Sequence, residues 1–243
     1  MSERTKTTGR VLALLGVFAL GACASSDAPE TAISDPFEPV NRVTHSFNLA
    51  ADTLVLRPAA ETYRFLVPDL MRDGVHNFLD NLTTPVSAAN QLLQGDVDGS
   101  VTELKRFFLN TTIGGLGFSD QATTLGYVQE TEDFGQTLAV WGVPDGPYIE
   151  LPLLGPSSLR DATGRVADSF LDPVSVWTMT QGLQEVSIPR AALTALDARE
   201  RNIEAIDALQ EQSTDYYSTL RSVYKQRRDS QIADGEVMLE EIE

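Results

Sequence analysis

Apolar residues recur at three- and four-residue spacing along most of this chain, the mark of helices that each carry one greasy stripe. Val40, Val43, Phe47, Ala50, Ala51 and Leu54 form the first stripe. Asp35-Pro36-Phe37-Glu38 precedes it and predicts a helix start, with Asp35 as the cap and Glu38 reaching back. Prolines punctuate the following segments. Arg57-Pro58 predicts a second start, and Val67-Pro68 a third that carries Leu70, Met71, Val75, Phe78 and Leu82. Thr84-Pro85 predicts a fourth, with Val86, Ala89, Leu92 and Leu93, ending at Gly95. A fifth begins near Asp98 with Val101, Leu104, Phe107 and Phe108, and stops at Gly114-Gly115-Leu116-Gly117. Thr131 to Trp141 and Leu159 to Phe170 read as further helices, with Val166 and Phe170 facing inward, and Asp172-Pro173 starts another. The longest uninterrupted pattern runs from Pro189 to Arg228, through Leu193, Leu196, Ile203, Ile206, Gln210, Ser213, Tyr217, Leu220 and Tyr224. Its other face, with Asp197, Arg201, Glu204, Asp207 and Glu211, is expected in water. Sustained alternation of apolar and polar residues is missing. The expected fold class is therefore all-α: a bundle of short proline-started helices and one long C-terminal helix, with few or no strands.

One stretch breaks the pattern. Gly146 to Asp161 holds three prolines and two glycines, which exclude a helix or a central strand. It also holds Ile149, Leu151, Leu153 and Leu154, which a solvated loop should not expose. Such a loop must be buried in protein or placed in other apolar surroundings. Ser157 or Ser158 is positioned to cap the helix that follows.

The N-terminus is not part of the fold. Arg4, Lys6 and Arg10 precede an apolar run from Val11 to Leu20, which is too short to span a bilayer. Leu20-Gly21-Ala22-Cys23 follows, and Cys23 is the only cysteine in the chain. This arrangement resembles a bacterial lipobox. It implies a lipoprotein signal peptide over residues 1–22 and an acylated Cys23 that anchors the mature chain to a membrane, with a polar tether over residues 23–34. The absence of an aspartate after Cys23 resembles an outer-membrane address. At the other end, six acids and no base follow Arg228, which predicts an acidic disordered tail over residues 229–243.

The formal charge of −17 argues against nucleic acid, whose phosphates would repel the chain. Catalytic groups are sparse. Metal ligation lacks a cluster, since His45 and His76 lie far apart and Cys23 is consumed by lipid. Nucleotide fingerprints and the nucleophile elbow are missing, so no cofactor is expected. Ser157 and Ser158 lie near Asp161 but lack an aligned base, and they read better as a helix cap.

Several blocks in fixed order resemble the MlaA (VacJ) family of lipoproteins. They begin with Asp35 to Arg42, including Asn41 and Arg42, then Phe47-Asn48, Arg57-Pro58, Tyr63 and Val67-Pro68. Asn77-Phe78, Asn81-Leu82, Pro85, Leu93 to Asp96, Arg106-Phe107, Asn110-Thr111, Gly114, Gly117-Phe118 and Asp120 follow. The most distinctive block runs from Gly146, Pro147 and Tyr148 through Pro152 and Gly155 to Arg160 and Asp161. The resemblance covers roughly residues 35 to 225 and implies one helical domain over residues 35–228, shaped as a ring within the inner leaflet of the outer membrane.

It further implies a non-enzymatic role: removal of mislocalised phospholipid from the outer leaflet and its transfer to an MlaC-like periplasmic carrier, beside a trimeric porin. The expected location is the periplasmic face of the outer membrane, held by lipid. Phe107, Phe108, Gly114, Gly115 and Gly117 are candidates for a lipid path or hinge. Two other readings remain open: a structural envelope lipoprotein or porin-associated scaffold, and a lipid hydrolase using Ser157 or Ser158.

Overall fold

The computed structural model describes residues 33–233. The signal segment, Cys23, most of the tether and residues 234–243 lie outside the described residues. Helices dominate. They are α1 (Glu38–Ala51), α2 (Arg57–Leu66), α3 (Asp69–Gln94), α4 (Val97–Thr112), α5 (Gln121–Thr124), α6 (Phe134–Val140), α7 (Leu159–Leu171), α8 (Pro173–Gln181), α9 (Gln184–Arg201), α10 (Ile203–Gln212) and α11 (Tyr216–Ile232). Between α6 and α7 lies a two-stranded antiparallel hairpin, β1 (Tyr148–Leu151) and β2 (Gly155–Ser158), with Tyr148 opposite Ser158 and Leu151 opposite Gly155. The all-α expectation with few strands therefore holds.

Prolines do less to divide the chain than their positions predict. Thr84-Pro85 starts no helix, because α3 runs straight through Pro85. The hydroxyl of Thr84 donates to the carbonyl of Asp80 at 3.1 Å, and α4 packs along the C-terminal part of the helix, on both sides of Pro85. Gly95, in the left-handed conformation, turns the chain so that α4 folds back on α3. Contacts mirrored about that turn fix the register: Ser100 Oγ to the Ala88 carbonyl at 2.8 Å, and Asn81 to Thr111 Oγ1 at 2.9 Å. At Arg57-Pro58 the chain does not break either. A wide π-helical turn, Asp52–Leu56, carries α1 into α2, with the Arg57 N–H donating to the Asp52 carbonyl. Pro58 has no N–H to offer to a normal turn, and the wider turn accommodates it.

The predicted single long C-terminal helix is three helices. It begins five residues before Pro189, breaks at Asn202 and again at Ser213–Asp215, and extends to Ile232, past the predicted tail boundary at Asp229. The amide of Asn202 donates to the Ala198 carbonyl at 2.7 Å, and Ser213 Oγ donates to the Leu209 carbonyl. The breaks leave the apolar spacing undisturbed, which explains why the pattern read as continuous.

Polarity is inverted across the packed elements. On α1 the predicted apolar face points outward, with Val40 64%, Val43 71% and Phe47 55% exposed, and Leu54 in the following turn is 76% exposed. The opposite face is buried, with Asn41 4% and His45 8% exposed. On α4, Val97, Val101, Leu104 and Phe108 are exposed, while Ser100, Glu103, Arg106 and Asn110 are buried. Val166 and Phe170 of α7, expected inward, are exposed, and Arg160, Asp161 and Gly164 take the inward face. Periodicity locates the stripe but does not say which side of the helix meets protein. Here buried polar side chains far outnumber buried apolar ones.

Ion pairs take the place of a large greasy core. Arg199 holds Asp52 through two nitrogens at 2.7 and 3.1 Å, Arg64 meets Glu200 at 2.8 Å, and His76 Nδ1 meets Asp197 at 2.8 Å. Asp197 and Asp207, expected on a solvated face, are thus internal partners; Arg57 meets Asp207 at 2.8 Å. Buried charges are normally paired, and these pairs pin α9 to the Asp52–Leu56 turn, α2 and α3.

Candidate functional site

The hairpin from β1 to β2 is held by a helix instead of by a larger sheet. Asn41 and Asn48 lie seven residues apart, two turns along one face of α1. The amide of Asn41 donates to the Tyr148 carbonyl at 3.1 Å and its Oδ1 accepts the Glu150 N–H at 3.0 Å. Asn48 donates to the Leu151 carbonyl at 3.0 Å and accepts the Leu153 N–H at 2.7 Å. The two side chains thereby satisfy the free edge of β1 as a neighbouring strand would. Ser34 extends the same edge by accepting the Tyr148 N–H at 2.8 Å.

Asp35 is not a helix cap. The residue preceding α1 is Phe37, and no side chain caps the helix. Asp35 instead accepts from Asn41 at 2.8 Å, from the Tyr217 hydroxyl at 2.5 Å and from Arg221 at 2.7 Å. Arg42 turns away from the hairpin to Asp215, at 2.6 Å, with its guanidinium 4.4 Å from the Tyr217 ring centre. The other end of the hairpin is tied to α7. Ser158 is the cap of α7, accepting the Asp161 N–H at 3.1 Å. Arg160 meets Asp145, and Asp161 accepts from Tyr224 at 2.5 Å and from Arg228 at 3.1 Å. Ser157 is fully buried, with its hydroxyl directed at the Ser158 carbonyl.

Tyr217 and Tyr224, read in the sequence as part of the helical stripe, and Arg228, read as its end, hold Asp35 and Asp161. The three lie on one face of α11, and that spacing was the available signal. Burial raises the Tyr148 hydroxyl above its ordinary value, and the neighbouring Glu150 carboxylate raises it further. Burial and Asp35 do the same to Tyr217, and burial and Asp161 to Tyr224. All three tyrosines stay protonated donors to carboxylates. Burial opposes the charge of Arg228, but Asp133 and Asp161 outweigh it and hold the guanidinium charged. Gly135 and Gly164 let α6 and α7 approach at this point: a Cβ on Gly164 would lie 2.4 Å from the Gly135 nitrogen.

The tip of the hairpin points outward. Leu151-Pro152-Leu153-Leu154 closes a turn through the Leu154 N–H and the Leu151 carbonyl at 3.2 Å. Leu153 sits at φ 63, a backbone that glycine usually occupies, and its side chain is 71% exposed. The only other non-glycine residue with positive φ among the described residues is Leu116, also exposed, in the turn after α4. Both strained positions thus present a bare leucine.

The other predicted residues are dispersed around this frame. Phe47 faces outward from α1. Gly146 packs beside Leu159, and the Pro147 carbonyl accepts the Leu159 N–H at 3.1 Å. Gly155 pairs with Leu151. Phe107 is half-buried on α4, and its ring meets that of exposed Phe108 at 5.5 Å. Gly114, Gly115 and Gly117 form a tightly bonded turn, with the Gly117 N–H on the Asn110 carbonyl at 2.8 Å and the Ser119 N–H on the Gly114 carbonyl at 2.9 Å. A cleft of about 120 Å³ lies beneath the hairpin, between α1, α10 and α11.

Known proteins resemble this chain over most of its length. The model of the MlaA lipoprotein family matches residues 33–231. The chain is 38% identical over 231 residues to the intermembrane phospholipid transport system lipoprotein MlaA of Escherichia coli, covering 93% of this chain and 90% of that one. It is 31% identical to the protein of that name from Haemophilus influenzae, covering 96% and 94%. A solved structure described as the structural basis for maintenance of bacterial outer membrane lipid asymmetry aligns with a TM-score of 0.73 at 34% identity, over 82% of this chain and 99% of that chain. The family model spans most of the chain and the relatives are similar over nearly all of it, so this chain belongs to the MlaA lipoprotein family.

Proposed function

We propose that this protein moves phospholipid at the bacterial outer membrane and helps to keep that membrane asymmetric. The observation that carries this reading is the inverted polarity of α1, α4 and α7. An outward apolar stripe on successive helices costs free energy in water and is stable against acyl chains. No helix among the described residues is long and apolar enough to cross a membrane. The 14 residues of α1 span about 21 Å, which suits a helix lying within one leaflet. A head group in transit needs polar surroundings while its tails stay in apolar ones. The relatives' printed roles in intermembrane phospholipid transport and lipid asymmetry agree with this reading.

The finer steps belong to the same proposal. Cys23 is acylated after residues 1–22 are removed, and the tether holds the domain on the periplasmic side of the outer membrane. Phospholipid mislocalised to the outer leaflet is taken up beside a trimeric porin and handed to an MlaC-like soluble carrier. No bond is broken: Ser157 and Ser158 are buried and engaged in local hydrogen bonds. The Gly114–Gly117 turn and Phe107–Phe108 remain candidates for the path.

A clean deletion in a strain lacking redundant systems tests the proposal. The expected result is more phospholipid in the outer leaflet and greater detergent sensitivity, restored by the wild-type chain and not by Cys23→Ser. Unchanged asymmetry refutes it. Release of lysolipid or fatty acid from labelled phospholipid by the purified protein would replace transfer with hydrolysis.

A further inference from the structure

The cleft beneath the hairpin combines apolar walls with a carboxylate that lacks a cation. Leu49, Ile206 and Tyr216 form part of the walls, and His45, Asn48 and Glu150 form the polar side. At about 120 Å³ it has room for roughly four waters, or for a small organic group. The Glu150 carboxylate accepts from the Tyr148 hydroxyl at 2.6 Å and from Asn48 at 3.2 Å. Both donors are neutral. His45 Nδ1 approaches Glu150 at 3.5 Å, yet it is buried and makes no hydrogen bond. Asp52, the other acid at the cleft, is already matched by Arg199 at 2.7 Å. Among the described residues lining the cleft there is no lysine or arginine. A buried carboxylate is normally paired with a cation, and this one is met only by dipoles and an imidazole.

We infer that this cleft is a binding site for an organic ammonium group, of the kind carried by zwitterionic phospholipid head groups. The inference rests on the phospholipid reading above and deepens it by naming a head-group class. Glu150 supplies the negative charge. The rings of Tyr216 and His45 flank the cleft and suit an ammonium, which is attracted to an aromatic face. The apolar walls take the methylenes that join the ammonium to its phosphate. The formal charge of −17 on the whole chain points the same way, because it disfavours lipids of net negative charge.

The test uses full-length acylated protein, extracted in mild detergent and equilibrated with vesicles of equal parts phosphatidylethanolamine, phosphatidylcholine and phosphatidylglycerol. The retained lipid is read by mass spectrometry. Ammonium lipids should be enriched about fivefold over the glycerol lipid, which corresponds to ~1 kcal/mol. Glu150→Gln should return the ratio to that of the vesicles. Ile206→Trp, which fills the cleft without touching Glu150, should do the same and stands in if the first variant fails to fold. Enrichment of ethanolamine alone assigns recognition to hydrogen bonding at Glu150, and equal enrichment of choline assigns it to charge and ring faces; both support the site. Retention at the vesicle ratio by the wild type, or enrichment that survives both variants, overturns it. A protein that retains no phospholipid at all would instead refute the broader transport reading.

Discussion

Asn41 gives the sharpest test of the clamp. It is 4% exposed and makes three hydrogen bonds, to Asp35 at 2.8 Å, the Tyr148 carbonyl at 3.1 Å and the Glu150 N–H at 3.0 Å. Asn41→Ala leaves a buried carbonyl and a buried N–H without partners and removes a donor from Asp35. Each stranded group costs about 1–3 kcal/mol, so the substitution should cost about 4 kcal/mol. Asn48 also bonds the hairpin, but it is only half-buried and water can replace it; Asn48→Ala should cost about 1–2 kcal/mol. In a domain of this size 1 kcal/mol shifts the melting midpoint by about 2–4 °C, so Asn41→Ala should lower it by about 8–16 °C. Asn41→Asp should be as harmful, because it sets a second carboxylate against Asp35. The assay is thermal unfolding of the detergent-solubilised protein followed by circular dichroism. A melting midpoint for Asn41→Ala within about 3 °C of wild type, or equal to that of Asn48→Ala, would refute the view that Asn41 stands in for a strand.

Other consequences can be checked separately. Burial would raise Asp120, but bonds from Thr123, Asn110 and Arg106 outweigh it and hold its pKa at about 2, below the ordinary 3.8. Its contribution is therefore complete above about pH 4 and is lost as pH falls toward 2; in acid titrations Asp120→Asn should flatten that part of the stability curve. Gly164→Ala drives a Cβ into the Gly135 backbone at 2.4 Å and should cost about 3 kcal/mol in urea unfolding. Leu153→Gly should leave stability within about 1 kcal/mol of wild type, since relief of the positive φ offsets glycine's entropy, whereas Leu153→Val should lose about 1–2 kcal/mol. A spin label at Leu153→Cys in reconstituted bilayers should be relaxed by oxygen more than by a water-soluble nickel complex; the reverse would place the hairpin tip in water.

Much of the local structure was legible because short-range physics decides it. Three- and four-residue spacing located the helices, Gly95 marked the end of α3, and Ser158 served as one of the two expected caps. The dense proline and glycine block announced a segment that could be neither helix nor central strand, and it is an isolated hairpin. The ordered motifs were enough for family membership. Less legible were the places where tertiary contacts overrule a local signal. Pro85 signals a helix start, yet α4 packed alongside keeps α3 intact. Asp35 has a capping residue's neighbours, yet Tyr217 and Arg221 claim its carboxylate from far along the chain.

By itself, then, the sequence determined where the amphipathic helices lie, that their stripes are continuous and that Gly146 to Asp161 is exceptional. Only the tertiary structure decided which side of each stripe faces protein. The same period describes a helix packed on a greasy core and one that packs its polar side and leaves its apolar side outward. That choice turns on partners distant in sequence: Asn41 on Tyr148, Arg199 on Asp52, Arg228 on Asp133. A helix will bury asparagine, arginine and aspartate only when other elements bring matching groups within hydrogen-bond reach, and spacing along one segment carries no record of them.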